Sequence, residues 1–433
     1  MKIINKIIFV CTMVFLCNAT AIGQEKTIEV KNFLDVSSIV RSVNDKEWLV
    51  CNNSLGQTKF SLVNESATST PQLFLGYIDG TDSTCIYDFE VFNDTVYFCG
   101  ATWYGSTSQA VWGYFPLAGF PSVSVKYIVR SMGNLSKIDV FSIDSTMNEV
   151  HVVMVGLLNQ KNGIIVDEVR VAPDQFIEYA GTVDDVVGKY YADVAVTDNY
   201  VVTSMRAASG EILNNGQVLF ISKPTTLSTS IFACAASSYT IPGNASAGLL
   251  EHCTGDAVVV VYGGFFSKIG VHSFIGTLPY SYLSIKGRKD YTLHDIKFDK
   301  TSEDLDILVK SMKSLSEAQD SSIILHLNQS LSTYGGPLFC HMYLDERLNS
   351  LDWIPWEKNC FVASGHDVGG SHLRVYKYQY NNWQNCTQQK IMQANSLEMT
   401  KFEEVDLYYD ACEVEMLELE SYEMATPLTI ICE

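Results

Sequence analysis

Five aspartates recur at the head of short apolar runs: Asp88, Asp139, Asp193, Asp295 and Asp352. Carboxylates repeated in this way allow two kinds of chemistry. Standing in a ring, they could hold a hard cation such as calcium, which takes several carboxylate and carbonyl oxygens. At the head of a strand, an Asp more commonly accepts backbone N–H bonds in a turn, and recurrence in each copy is what such a structural role predicts. Carboxyl groups in pairs also cleave glycosidic bonds, but no sequence feature selects a pair.

A second group is Ser364-Gly365-His366-Asp367-Val368-Gly369-Gly370-Ser371-His372. Two imidazoles and a carboxylate on one turn could hold a transition metal or exchange protons. A metal site usually needs three or four protein ligands, and no others are evident, so the stretch reads first as a solvated hairpin turn. A third group is aromatic: Trp103-Tyr104-Gly105 and Phe265-Phe266. Exposed rings stack on sugars or anchor protein partners; the bland reading is packing against neighbouring structure. Trp353 and Trp356 straddle a proline and read as core.

Other catalytic signatures are missing. Gly243-Asn-Ala-Ser246-Ala-Gly248 misses the nucleophile elbow by one position. There is no HExxH, no GxGxxG and no P-loop.

The elements that must position these residues are strands. Each Asp opens an apolar run, then a polar turn, then a second apolar run, as in Asp193-Val-Ala-Val-Thr-Asp-Asn-Tyr-Val-Val202. The Asp spacings are 51 from 88 to 139, 54 from 139 to 193, 102 from 193 to 295 and 57 from 295 to 352. The doubled gap hides a copy without the Asp, Leu249 to Val261, and one step before Asp88 lies Ser38-Ile39-Val40 with Trp48 to Cys51. That makes seven copies. A third run follows turns such as Asn162-Gly163, Asn215-Gly216 and Gly369-Gly370, and Asn-Gly favours positive φ at both turn positions of a hairpin. The expected units span roughly 34–70, 85–125, 136–180, 189–232, 246–285, 291–330 and 348–385. The one helical candidate is a short turn at Ser311 to Ala318.

A period of about 53 residues with three or four strands per unit resembles β-propeller blades. The likeness is architectural and covers nearly all the chain after its first segment. It is closest in character to uncharacterised exported bacterial propellers, with no WD, kelch or sialidase box in series. It implies an all-β, seven-bladed β-propeller of antiparallel three- to four-stranded blades. It also implies that the Asp-bearing strands lie nearest the axis and that the aromatic turns share a face with the blade connections. A pair of β-sandwiches is the alternative.

The flanks and composition bound the setting. Lys2 and Lys6, the apolar stretch Ile7 to Ala19 and small residues through Gly23 read as a secretory signal peptide over 1–23. A lipid anchor on Cys17 is disfavoured by Leu16 before it. No later stretch reads as a membrane span. Residues 386–433 form an acidic closing segment, read as a strand completing the first blade or as a small cap. The net charge of −20 argues against nucleic acid and against an anionic membrane surface. Ten cysteines follow the signal, and Cys85–Cys99 and Cys340–Cys360 suggest local disulfides. Asn-x-Ser/Thr triplets at Asn52, Asn64, Asn93, Asn134, Asn244, Asn328 and Asn385 are surface hints.

The expected function is an exported binding or interaction protein, secreted, periplasmic or on the cell surface, that presents loops of one face to a glycan or an envelope protein. The candidate contact residues are Trp103, Tyr104, Phe265, Phe266, His366, Asp367 and His372. The alternative is a secreted polysaccharide hydrolase or lyase with its carboxylates at a central channel. No cofactor is expected beyond calcium, for which the five Asp are the candidates.

Overall fold

The computed structural model describes residues 26–30 and 37–432, apart from 45, 55–56, 68, 76–80, 144–148, 159–160, 184–188, 208–215, 228, 242–246, 265–267, 287–290, 300–303, 312–321, 328–337, 344–345, 356–359, 368–372, 380–383, 386–389, 394–399, 406 and 420–421. The signal stretch 1–23, Phe265, Phe266, His372 and most of the expected helix at 311–318 lie outside the described residues. What is described is all-β and propeller-like: every strand pairing is antiparallel, and one 3-10 turn, Ile231–Ala233, interrupts the strands. Among the described residues, no helix is long and apolar enough to cross a membrane.

The strands form where apolar residues are dense and β-branched or aromatic. Thr95–Tyr104 and Val150–Leu158 are buried along most of their length, because packed surfaces cover both of their faces. A two-residue turn, Asn93-Asp94 at φ 50° and 56°, joins Ser83–Phe92 to Thr95–Tyr104. Both residue types tolerate the left-handed region that such a tight hairpin needs. The expected turn at Asn162-Gly163 is not one. These residues sit inside the strand Lys161–Ala172, and Gly163, at φ 72°, is the extra residue of a bulge opposite Gly156 and Leu157.

Units follow one another along the chain, and each begins with an inner strand. These are Ser37–Asn44, Ser83–Phe92, the second half of Val125–Ser142, Lys189–Val196, Ala247–His252, Tyr291–Asp299 and Glu346–Trp353. Val125–Ser142 serves two units: its first half pairs with Thr107–Pro116 and its second half with Val150–Leu158. The crossing is at Gly133, where an added Cβ would stand 1.9 Å from the Leu157 carbonyl oxygen.

The core lies between neighbouring sheets. Phe60 of the first unit meets Phe89 and Phe115 of the second edge to face, at 5.4 and 5.1 Å. Burying one such ring is worth about 2–3 kcal/mol. The series of junctions returns to its start: Cys360, Val362, Leu373 and Val375 pack with Val40, Trp48, Val50 and Val63. The junction between the third and fourth units adds a buried polar cluster to its apolar core. His151 Nδ1 lies 3.0 Å from Asp167 Oδ1 and its Nε2 lies 3.2 Å from Glu149 Oε1, while Ser230 Oγ and the Ile231 N–H donate to Asp167 Oδ2 at 2.9 Å each.

The C-terminal tail runs round the outside. Gln384–Asn385 pairs with Leu338–Tyr343, Lys390–Gln393 with Leu278–Lys286, Thr400–Val405 with Ala236–Ile241, and Leu407–Glu415 with Gln175–Val183. Leu417–Leu419 then pairs with the start of Val125–Ser142, and Tyr422–Cys432 with Ser69–Leu75 and with Lys26–Val30. Lys26–Val30 completes the circuit on Leu373–Gln379. The tail thus visits the units in reverse chain order and covers their outer edges. Its acidic residues suit an outermost strand, where charge discourages pairing with another chain.

The expected local disulfide Cys85–Cys99 does not form. Cys85 stands opposite Ala101 and Cys99 opposite Asp88, and Cys85, Cys99, Cys234 and Cys412 are free thiols.

Candidate functional site: the axial cavities

The inner strands carry a β-bulge at a recurring place. Ladder register slips at Tyr87, Ser136, Ala192, His294 and Asn349. A bulge leaves one residue unpaired and re-aims side chains around it. The residues immediately after the bulges are Asp88, Lys137, Asp193, Asp295 and Ser350. The five repeated aspartates therefore do not form one ring of equivalent positions. Asp139 and Asp352 stand two residues further along their strands, level with Glu90 and Lys297, while Lys137 and Ser350 take the places that Asp88 occupies in its own unit.

These carboxylates tie each inner strand to the next. Asp139 accepts from its own Val140 N–H at 2.7 Å and from Val196 N–H at 2.6 Å. Asp193 accepts from Val194 and Leu250 N–H, both at 2.9 Å. Asp295 accepts from Ile296 N–H at 3.0 Å, from Leu351 N–H at 2.9 Å and from Ser350 Oγ at 2.7 Å. Asp352 accepts from Ser42 N–H at 2.5 Å, which links the last unit to the first. The capping role is the one the structure supports for them. Among the described residues, no three His, Cys, Asp or Glu side chains come together as metal ligands.

Two cavities lie along the axis. The larger, ≈ 400 Å³, is walled by Glu90, Asp139, Asp193, Glu251 and Lys297 among others. The smaller, ≈ 300 Å³, is an open funnel lined by Ser37, Ser38, Tyr87, His294, Asn349 and Ser350. Arg41, Asp88, Lys137 and Asp295 line both and form the partition between them. Arg41 Nη2 donates to Asp88 Oδ1 at 2.8 Å, and Lys137 Nζ lies 3.7 Å from Asp88 Oδ2. Three of the five bulge residues thus line the funnel. Sequence reasoning passed over them and over Arg41, Lys137 and Lys297. The available signal was the residue just ahead of each repeated Asp: Tyr87, Ala192 and His294.

The aromatic turn lies at the same end as the funnel. Asp82, directly ahead of the inner strand Ser83–Phe92, donates its N–H to the Trp103 carbonyl at 2.8 Å and accepts the Gly105 N–H at 2.6 Å. Trp103 is half-buried and Tyr104 is 43% exposed. His366 and Asp367 close the strand Cys360–Asp367, with side chains outside the described set; Trp353 is core, packed on Phe361.

No family model matches the sequence, and no curated protein matches it. Among solved structures, the chain is similar to the uncharacterised protein lmo1340 from Listeria monocytogenes EGD-e, with TM-score 0.39 and 9% identity over 80% of this chain and 93% of that one. It is similar to BBS1N in its complex with ARL6DN, with TM-score 0.34 and 12% identity over 82% and 98% of the two chains. A leech intramolecular trans-sialidase complexed with 2,7-anhydro-Neu5Ac gives TM-score 0.34 and 8% identity over 84% and 95%. At such distances these likenesses say nothing of a ligand, so the chemistry rests on the residues themselves.

Burial shapes the charges of the larger cavity. It pushes Asp139 up to about 8, Glu251 to about 7 and Asp193 to about 6, against the pull of nearby N–H groups and lysines. Glu90 is also raised by burial, against Arg41 and Lys297. Asp295 goes the other way: burial opposes its charge, but Lys137, Lys297 and Arg41 hold it below the usual carboxylate range. A carboxyl that binds its proton more tightly when folded adds stability at low pH and loses it as pH rises through the folded value. Stability is therefore expected to fall as pH rises from about 4.5 to about 8, between the unfolded and folded values of these groups. Asp295 contributes in the opposite sense and loses its part only in stronger acid. Thermal melts across this range check the slope, which Asp139→Asn should flatten near pH 8.

Proposed function

We propose that this chain is an exported binding protein, a seven-bladed propeller whose ligand, a glycan or an envelope protein, docks on the face bearing Tyr104 and the mouth of the axial funnel. Export rests on the signal-like segment 1–23. Support for the blade count comes from the succession of inner strands and from Asp352, which bonds Ser42 of the first unit. The observation that carries binding over catalysis is the state of the repeated carboxylates. Asp139, Asp193 and Asp295 each have both oxygens occupied by backbone or hydroxyl donors, which leaves them poor candidates for acid–base work on a substrate.

A panel of polysaccharides and oligosaccharides, read by thermal shift, tests the reading. A ligand at 100 times its Kd raises stability by about 2.7 kcal/mol, a shift of several degrees. Tyr104→Ala should weaken binding of long chains severalfold with an unchanged melting temperature for the free protein, since its ring is exposed. A flat response across the panel would redirect the search to protein ligands.

A second reading, a polysaccharide hydrolase or lyase, draws on the larger cavity. There burial holds Glu251 at about 7, where a carboxyl gives and takes a proton near neutral pH. New reducing ends or unsaturated products from the same polysaccharides, abolished by Glu251→Gln, would favour it.

A further inference from the structure

We infer that the axial funnel is an end-on pocket for one neutral sugar residue, the terminal unit of a saccharide chain, with Tyr87 as its stacking face and His294 and Asn349 as its hydrogen-bonding groups. The inference rests on the binding reading above and names the ligand class of that face. Three observations carry it.

The first is the recurrence of the bulges. Tyr87, His294 and Asn349 come from three different strands, and each is the position the strand register skips, directly ahead of the partition residues Asp88, Asp295 and Ser350. Bulges interrupt the ladder, and here they place a tyrosine, a histidine and an asparagine in the lining of one cavity. The partition residues behind them are bonded to their neighbours, so the three bulged side chains rest on a braced floor.

The second is the balance of charge. The partition holds Arg41 and Lys137 against Asp88 and Asp295, two cations facing two carboxylates. Arg41 is paired to Asp88, and Lys137 lies near the same carboxylate. Such a floor offers dipoles and no net charge, so neither an anionic nor a cationic ligand gains from it. The larger cavity beyond it is carboxylate-rich and does not share this property.

The third is size and chemistry. A volume of ≈ 300 Å³ sits at the small end of ligand pockets, and the four residues shared with the larger cavity stand between the two, which suits entry of a chain by its end. Tyr87 is 37% exposed, which leaves its ring available to the C–H face of a sugar. Asn349 Nδ2 donates to Ser38 Oγ at 3.4 Å, and the carboxamide and hydroxyl of this pair have further donor and acceptor capacity for ring hydroxyls.

The test is titration calorimetry of the full mature chain with neutral methyl glycosides of glucose, galactose, mannose and N-acetylglucosamine, alongside glucuronate and glucosamine. At least one neutral glycoside should bind saturably, and the charged analogues at least about tenfold more weakly. Tyr87→Ala and Asn349→Ala should each weaken the neutral ligand about tenfold or more, with Tyr87→Phe close to the parent. Melting temperatures within a few degrees of the parent confirm that the variants fold. Binding of a charged analogue as tight as the neutral one overturns the inference, as does neutral binding that survives Tyr87→Ala. If long glycans bind and are lost with Tyr104→Ala alone, the funnel assignment fails while the binding reading stands. If nothing in either panel binds, the funnel inference fails and the binding reading is left with a protein ligand.

Discussion

A chain ending at residue 383 is expected to lose its single cooperative melting transition and to associate in solution. The tail it lacks supplies the outermost strand to the sheets ending in Leu338–Tyr343, Leu278–Lys286, Ala236–Ile241, Gln175–Val183 and Ser69–Leu75. Without it, each of those strands becomes a bare edge with unpaired backbone groups, a template for pairing with other chains. Side-chain contacts go as well. Met416 is buried in the core between the second and third units, Tyr409 stacks on Phe232 with ring centres 5.3 Å apart, and Lys126 loses its partner Glu418 at 2.9 Å. The exposed salt bridge matters least. The lost ladders matter most, because unfilled edges act on every unit at once. Size-exclusion chromatography and calorimetry check the outcome. A truncated chain that stays monomeric and melts within about 1 °C of the parent, a difference worth about 1 kcal/mol in a chain this long, would show the tail to be peripheral. Recovery of the transition on adding a separate peptide of residues 400–432 would tie the loss to the tail strands themselves.

Replacing Asp167 with Ala is expected to cost about 3–5 kcal/mol, the range seen when one member of a buried charged network is removed. Asp167 and His151 are both fully buried. The carboxylate takes His151 on one oxygen and the Ser230 hydroxyl and Ile231 N–H on the other, so its removal leaves three buried groups without their acceptor. Burial opposes the charge of His151, yet Asp167 and Glu149 together raise its pKa above the ordinary value. Phe141 stacks on the same imidazole at 4.6 Å. With the carboxylate gone, burial alone acts on that side of the ring, and it favours the neutral form. Asp167→Asn keeps an acceptor oxygen and should cost markedly less than the Ala variant. Urea unfolding of the three proteins measures the order. A loss below about 1 kcal/mol for Asp167→Ala would mean that water or a neighbour takes over the acceptor role.

Several features were legible along the chain. The all-β character follows from short β-branched and aromatic runs, because such runs need flat, two-sided burial wherever they end up. The repeated Asp was legible too, and so was its work as an acceptor of backbone N–H bonds, because a short carboxylate at a strand head meets N–H groups within its own unit. Val140, Val194 and Ile296 are the local donors, each one residue after its Asp.

What the sequence could not reveal is set by partners distant along the chain. Sequence spacing treats Asp88, Asp139 and Asp352 as equivalent, but register with the neighbouring strand puts Lys137 and Ser350 in the place of Asp88. A bulge is a property of two strands in register, and one strand read alone has no place for it. The same holds for Asn162-Gly163, a strong turn signal that the partner strand absorbs as a bulge. The funnel residues Tyr87, His294 and Asn349 are therefore invisible as a group until the strands are paired. So too with the tail: its composition announces a solvated acidic strand, and only the folded ring decides which sheet edges it meets and in what order. Local chemistry thus determined the strand character, the recurring unit and the capping carboxylates. Tertiary structure decided the bulges, the charge-balanced partition and the belt, because each depends on which strands face one another across the chain.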